Sequence, residues 1–348
     1  MKKLVAIAVA FALLLAMVVS APVTAQSTKI HVPDDYTTIQ AAVDNATAGD
    51  TIIVHAGTYE ENVEVHRDDL TIRAASGKNR PVVDGDESFA FCIVADGVMV
   101  EGFDARGEET GPVIEIRDGA KKVIISNNEV TGGACGISLW DATKSVVIGN
   151  EVSGSSDTGI SVEATSDNNT IRENKVSNCS LAGIVVAGAN SEVIDNEVSD
   201  CGNEEGGKGI IVEGASDSLI KGNQVSGGWA GIVVEGGAEW NHIVENKVSG
   251  CTKAAILVNE SSRNLIKENK ISKNGWGIVI DGEESHHNPV KENKVKQSAN
   301  GGISIRDGAH HNLVKENHVF GSGCDLYERG AGEGNTWEDN KYKTDNFF

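Results

Sequence analysis

The sequence predicts an all-β solenoid, a parallel β-helix of about 12 or 13 coils, and three observations predict it. First, from residue 113 onward an Asn standing two positions before an apolar residue recurs ten times, from Asn128 and Val130 to Asn340 and Tyr342, at spacings of 22 to 27 residues. The residue three before each Asn is always apolar, from Ile125 and Val147 through to Trp337. Second, Gly-Ile recurs between the Asn positions, at Gly136-Ile137, Gly159-Ile160, Gly183-Ile184, Gly209-Ile210, Gly231-Ile232, Gly277-Ile278 and Gly302-Ile303, with Ala255-Ile256 filling the gap. Third, each repeat holds short β-branched runs at period two, broken by Gly, Ser, Asn and Asp, with no helical period between them.

One such coil buries little alone. Stacked at the ~4.8 Å strand spacing, coils pair in parallel and their Ile and Val columns make one narrow core, roughly 60 Å long. The Asn column has a physical reason: a side-chain amide both donates and accepts, so identical residues on successive coils bond along the stack.

Composition agrees. The 348 residues include 40 Gly but only 5 Pro, 7 Phe, 5 Trp and 4 Tyr, too few large side chains for a thick globular core. The glycines lack the three-residue period of collagen. A net charge of −21 makes nucleic acid and anionic membrane poor partners.

Residues 1–25 read as an export signal: Lys2 and Lys3, an apolar run from Leu4 to Val19, then the small-residue site Val23-Thr24-Ala25. Secretion or cell-surface residence follows, with no membrane association after cleavage. Residues 26–348 read as a single domain with regular 22–27-residue repeats over 113–342. Thr37 and Gln40 suggest a capping box opening a short amphipathic helix over 37–46, with Ile39, Ala42, Val43 and Ala46 on one face, placed to close the first coil. At the other end Trp337 and the segment 343–348, finishing in Phe347-Phe348, would close the last.

Residues 38–65, from Thr38-Ile39-Gln40-Ala41-Ala42-Val43-Asp44 through Ala48-Gly49-Asp50-Thr51-Ile52-Ile53-Val54 to Val65, resemble the opening of pectin-lyase-like right-handed β-helix proteins. The Asn-x-Val and Gly-Ile repeats resemble the NosD-like branch of that class more than its enzymes. The resemblance implies a right-handed helix and a carbohydrate or cell-envelope context, but no activity. The segments that carry catalysis in pectin methylesterases, polygalacturonases and pectate lyases do not occur, so no catalytic residue is assigned. The expected protein is a scaffold that binds carbohydrate or another envelope polymer. A polysaccharide lyase or glycoside hydrolase is the alternative, and a metal-binding periplasmic protein the third reading.

Candidate site residues fall in four groups. Val185, Ile211, Val233, Leu257 and Val279 should point outward on consecutive coils, bordered by Glu213, Glu235 and Asp281; β-branched residues suit any sheet surface, but an exposed apolar stripe would suit a protein partner or a long polymer. Trp140, Trp229 and Trp276 lie outside the repeated core positions, and Asp200, Glu204 and Glu205 sit near the coil lengthened by an insertion. Indole faces suit sugar rings and carboxylates suit hydroxyls. The pairs His286-His287 and His310-His311, 24 residues apart, should stack and could hold Zn(II) or Cu(II), although no cofactor is required by this reading. Glu268, Glu292 and Glu316 form a column beside Lys267, Lys291 and Lys315, with Lys270 and Lys294 just past the Asn; the columns read as a solvated, mutually compensating face. Six cysteines permit disulfides, but Cys179, Cys201 and Cys251 at one offset suit a column of small buried residues equally well.

Overall fold

The computed structural model describes residues 27–75, 77, 79–85, 89–108, 110–202 and 206–347, so the expected leader 1–25, Glu204, Glu205 and Phe348 lie outside the described residues. The chain winds through about 13 turns of a parallel β-solenoid whose strands form three long sheets. Sheet A has 14 strands, from Lys29–Val32 to Thr336–Glu338; sheet B has 12, from Thr58–Glu60 to His318–Phe320; sheet C has 13, from Val63–Val65 to Asp345–Phe347. Every neighbouring pair is parallel and in register, as in Val147↔Ile171↔Val193 of sheet A and Ile184↔Ile210↔Ile232 of sheet C.

A regular coil is three short strands and three bends. Ile124–Ser126 of sheet A leads through Asn128 into Glu129–Gly132 of sheet B, and then into Cys135–Leu139 of sheet C. The inward residues of this coil, Ile125, Val130, Ile137 and Leu139, are fully buried. Repeating that set on each turn makes one continuous core.

The bend between sheets A and B explains the Asn marker. The residue before each Asn takes a left-handed conformation, as at Glu173 (φ 56°), Glu245 (φ 59°) and Glu268 (φ 57°), which costs a non-glycine residue about 1 kcal/mol. The amide that follows offsets that cost. Asn150 accepts from the backbone N–H of Asn128 at 3.0 Å and from its Nδ2 at 3.1 Å, while its own Nδ2 donates to the Ile125 carbonyl at 2.9 Å. The pattern continues to Asn340. Leucine at such a position would strand several buried donors at once.

A second ladder stands at the bend from sheet C to sheet A. There Asn241, Asn264, Asn288, Asn312 and Asn335 bond in the same way, with Ser145, Ser191 and Ser218 replacing Asn in earlier coils.

At the N-terminal end, helix α1 spans Ile39–Asn45 and buries Ile39, Ala42 and Val43. Its N-cap is Thr38, whose hydroxyl accepts from the Ala41 N–H at 3.1 Å, rather than Thr37. Gln40 does not close a capping box. Its amide instead bonds Asp44 and the backbone of Glu64, and Glu61 reaches from the adjacent coil to accept from the Ile39 and Gln40 N–H groups at 2.8 and 2.9 Å. A distant carboxylate therefore supplies what the local motif promised. At the C-terminal end Asp345–Phe347 adds a further strand to sheet C, and Trp337 packs half-buried against the core.

Candidate functional site

The outer face of sheet C gathers most of the residues singled out from the sequence. One register column runs Val185↔Ile211↔Val233↔Leu257↔Val279↔Ser304↔Tyr327. These side chains stand outside the core, but the expected exposed stripe is not there. Ile211, Val233 and Val279 are buried, and Val185 and Leu257 half-buried. The period of a strand fixes which way a side chain points, and not what a neighbouring coil lays over it.

The covering is polar and aromatic. Lys208, on the coil of Ile211, pairs with Glu235, on the coil of Val233, at 2.6 Å, and both are about one-fifth exposed. Two coils on, Asp281 pairs with Arg306 at 2.9 Å with similar exposure. Trp276 opens its strand in register with Ala254 and Gly301. Its ring lies across Gly301, where any Cβ would collide with it, so glycine there makes the room. Arg306 stands over the ring at 5.6 Å and Tyr327 leans toward it with centroids 5.6 Å apart. Beside it, Ser304 Oγ and Arg306 Nε are buried without a hydrogen-bond partner. Buried polar atoms left in this state are uncommon in folded proteins. Trp229, at the same edge of the sheet two coils earlier, lies half-buried under Lys253 at 5.6 Å.

Of the remaining sugar-site candidates, Glu213 is exposed at the end of its strand and Trp140 is 60% exposed just past the end of strand Cys135–Leu139. Asp200 is exposed in the turn one coil before Trp229. The structure thus brings Trp229, Trp276, Glu235 and Asp281 onto one face and leaves Trp140 apart.

The four histidines do stack. His286 and His310 are 5.1 Å apart and His287 and His311 5.4 Å, with nearly parallel rings, while Nδ1 of His286 lies 3.0 Å from Nδ1 of His287 and Nδ1 of His310 2.9 Å from Nδ1 of His311. His287 is held below its ordinary value of 6.5, first by partial desolvation and then by His286, His311 and Arg263. A neutral imidazole is the form that ligates. The tighter cluster, however, was not read from the sequence. Among the described residues, His31, Asp34 and His55 are the group whose ligand atoms all lie within 4.8 Å of one another. His31 Nδ1 is 3.2 Å from His55 Nε2, and Asp34 approaches that nitrogen to 4.0 Å. Two imidazoles and a carboxylate fit Zn(II) or Cu(II).

All six cysteines are free thiols. Cys179, Cys201 and Cys251 are buried in one column, and burial pushes the Cys251 thiol up to about 12, so the reading as small core residues holds. The charged columns are less balanced than expected. Glu245, Glu268, Glu292 and Glu316 turn toward sheet A, where they pair with Lys221, Lys267 and Lys315. Lys270 and Lys294, on the sheet B side, make no ion pair among the described residues.

Comparison with known proteins agrees with this geometry. The family model described as periplasmic copper-binding protein (NosD) matches residues 195–348, and the one described as right handed beta helix region matches 91–207. No curated protein sequence matches. Among solved structures, an alginate lyase in complex with G6 superimposes with a TM-score of 0.65 at 14% identity, covering 92% of this chain and 86% of its own. The mannuronan C-5 epimerase A-module of Azotobacter vinelandii gives 0.59 at 15% identity, covering 88% and 93%. The catalytic unit of a GH87 α-1,3-glucanase from Streptomyces thermodiastaticus gives 0.64 at 15%, covering 91% and 70%. At these identities the likeness is one of fold. Together with the ladders and the three parallel sheets, the matches bear out the resemblance to pectin-lyase-like right-handed parallel β-helix proteins of the NosD-like branch, with the NosD likeness lying in residues 195–348.

Proposed function

We propose that this is an exported β-helix protein that binds a polysaccharide along the outer face of sheet C without cleaving it. The observation that carries the reading is the set of rings Trp229, Trp276 and Tyr327 on this face, each two coils from the last, with Trp229 one residue before the register position of Trp276 and Tyr327 three residues past it. Half-buried rings running obliquely across the sheet suit an extended chain of sugars, with polar groups between the rings for hydroxyls. The solved neighbours named for alginate and α-1,3-glucan are in keeping with such a ligand.

Binding is favoured over catalysis by the state of the carboxylates. Glu235 and Asp281 are each held by a cation on this face, Lys208 and Arg306, whereas glycoside cleavage needs a pair of carboxylates free to act on the bond. Isothermal titration with neutral glycans, followed by reducing-end assay of every ligand that binds, tests the reading. Binding without new reducing ends, weakened about tenfold by Trp276→Ala, is expected; turnover, or binding indifferent to Trp276→Ala and Trp229→Ala, overturns it.

A second reading, metal binding, is favoured by the convergence of His31, Asp34 and His55 and by the description of the family matched over 195–348. Copper(II) titration followed by visible absorption should lose its signal in His31→Ala/His55→Ala. A signal lost only on removing His286 and His310 would move the site to the quartet.

A further inference from the structure

The outer face of sheet B carries a groove of about 490 Å³ that the sheet C reading does not use. Its floor is a register column in which Lys247, Lys270 and Lys294 stand directly above one another, one per coil. The three side chains are exposed, and none has an ion-pair partner among the described residues. Like charges placed directly opposite on neighbouring strands destabilise a sheet. Earlier in the same column the chain avoids this, since Lys175 follows Glu151 and pairs with it at 3.0 Å.

The nearest acids line a shared pocket with Lys270 and Lys294 but make no ion pair with them. Glu245, Glu268 and Glu292 occupy the left-handed bend beside them, and their ion pairs go to Lys221 and Lys267 on the other side. Beside the lysines runs a second column, Ser226, Ser249 and Ser272, ending in Lys296, which lies over Phe320 at 5.1 Å. No hydrogen bond occupies the three hydroxyls among the described residues. In a chain of net charge −21, this is a local strip of positive charge without ion-pair partners among the described residues, lined with unbonded hydroxyls, and its column continues through Gln224 to Glu197 at the other end of the groove. At physiological salt the Debye length is ~8 Å, so the strip acts on what touches it, screened from more distant acids.

We propose that this groove binds a linear polyuronate laid along the helix axis. The match is in charge density. A uronic-acid chain carries one carboxylate per sugar, and the groove offers one lysine per coil of ~4.8 Å, with hydroxyls alongside for the sugar oxygens. A nucleic-acid duplex carries one charge per ~1.7 Å, a surplus that a protein of this net charge repels. The inference stands on different residues from those of sheet C and does not depend on that reading.

The test is titration of the full-length chain with a deca-galacturonate, with its fully methyl-esterified form, and with a thymidine oligonucleotide of similar length. The acid form should bind, and binding should weaken as salt rises. The ester should bind at least about tenfold more weakly, as should the acid form to K247A/K270A/K294A. Because the replaced side chains are exposed, the variant should unfold at the wild-type temperature, and W229A/W276A should bind the acid form normally. Equal binding of acid and ester, undiminished binding by the lysine variant, or preference for the oligonucleotide would each overturn the proposal.

Discussion

Sheets B and C leave the same coils, yet their outer faces are finished in opposite ways. On sheet C, charges meet across coils: Lys208 with Glu235 and Asp281 with Arg306, each closing over apolar outer residues. On sheet B, lysines stack on lysines beside unbonded serines, and the groove stays open. The difference teaches that in a solenoid the pairing between coils, more than the pattern within one, decides whether a face is covered or available.

The largest expected effect comes from what both faces share. Asn246→Leu would strand the Asn223 N–H and Nδ2 and the Ile220 carbonyl, and should cost about 3 kcal/mol or more in denaturant unfolding. The damage falls on the bend leading into sheet B, so polyuronate binding should suffer before binding on sheet C. Next, Trp276→Ala removes the ring packed over Gly301 and beside Tyr327 and Arg306 and should cost ~1–2 kcal/mol, with a matching rise in the solvent accessibility of that edge by hydrogen exchange.

A direct contrast follows from one change on each face. Glu235→Gln breaks a partly buried pair and should lower stability by ~0.5–1 kcal/mol, whereas Lys270→Gln relieves a like-charge column and should be neutral or stabilising by a few tenths. Thermal unfolding at low salt reads both, and a loss on Lys270→Gln would show that the lysine column is compensated after all. The smallest effect is a pH dependence. His287 is held below 6.5 in the folded chain, so the unfolded chain takes up the proton first as pH falls. Stability should therefore decline from about pH 6.5 downward toward the folded value, and the difference in Tm between about pH 7.5 and pH 5 should shrink in His287→Asn.

Much of the fold was legible because a ladder tolerates few substitutes. Asn128 to Asn340 must each donate and accept within a buried bend, so the residue type repeats without exception. The second ladder was harder to see because serines at 145, 191 and 218 do the same work in earlier coils and break the pattern of residue type. The site was less legible, for reasons of the same kind. Val233 and Val279 alternate outward as the strand period requires, yet both are buried, and beside them Lys208 reaches from the preceding coil to Glu235 and Arg306 from the following coil to Asp281, pairings between coils that no local period encodes. His31, Asp34 and His55 meet across the first two strands of sheet A, ahead of the regular markers that would have aligned them. Lys270 and Lys294 were visible as a column, but which way the adjacent glutamates turn depends on a left-handed bend seen only in three dimensions.

The most direct test of two separate binding faces is one glycan array probed in parallel with the wild-type chain, W276A and K247A/K270A/K294A. The two-face account predicts that W276A loses neutral glycans and keeps uronates, while the lysine variant does the reverse. If both variants lose the same glycans, or neither loses any, the division of labour between sheets B and C is wrong.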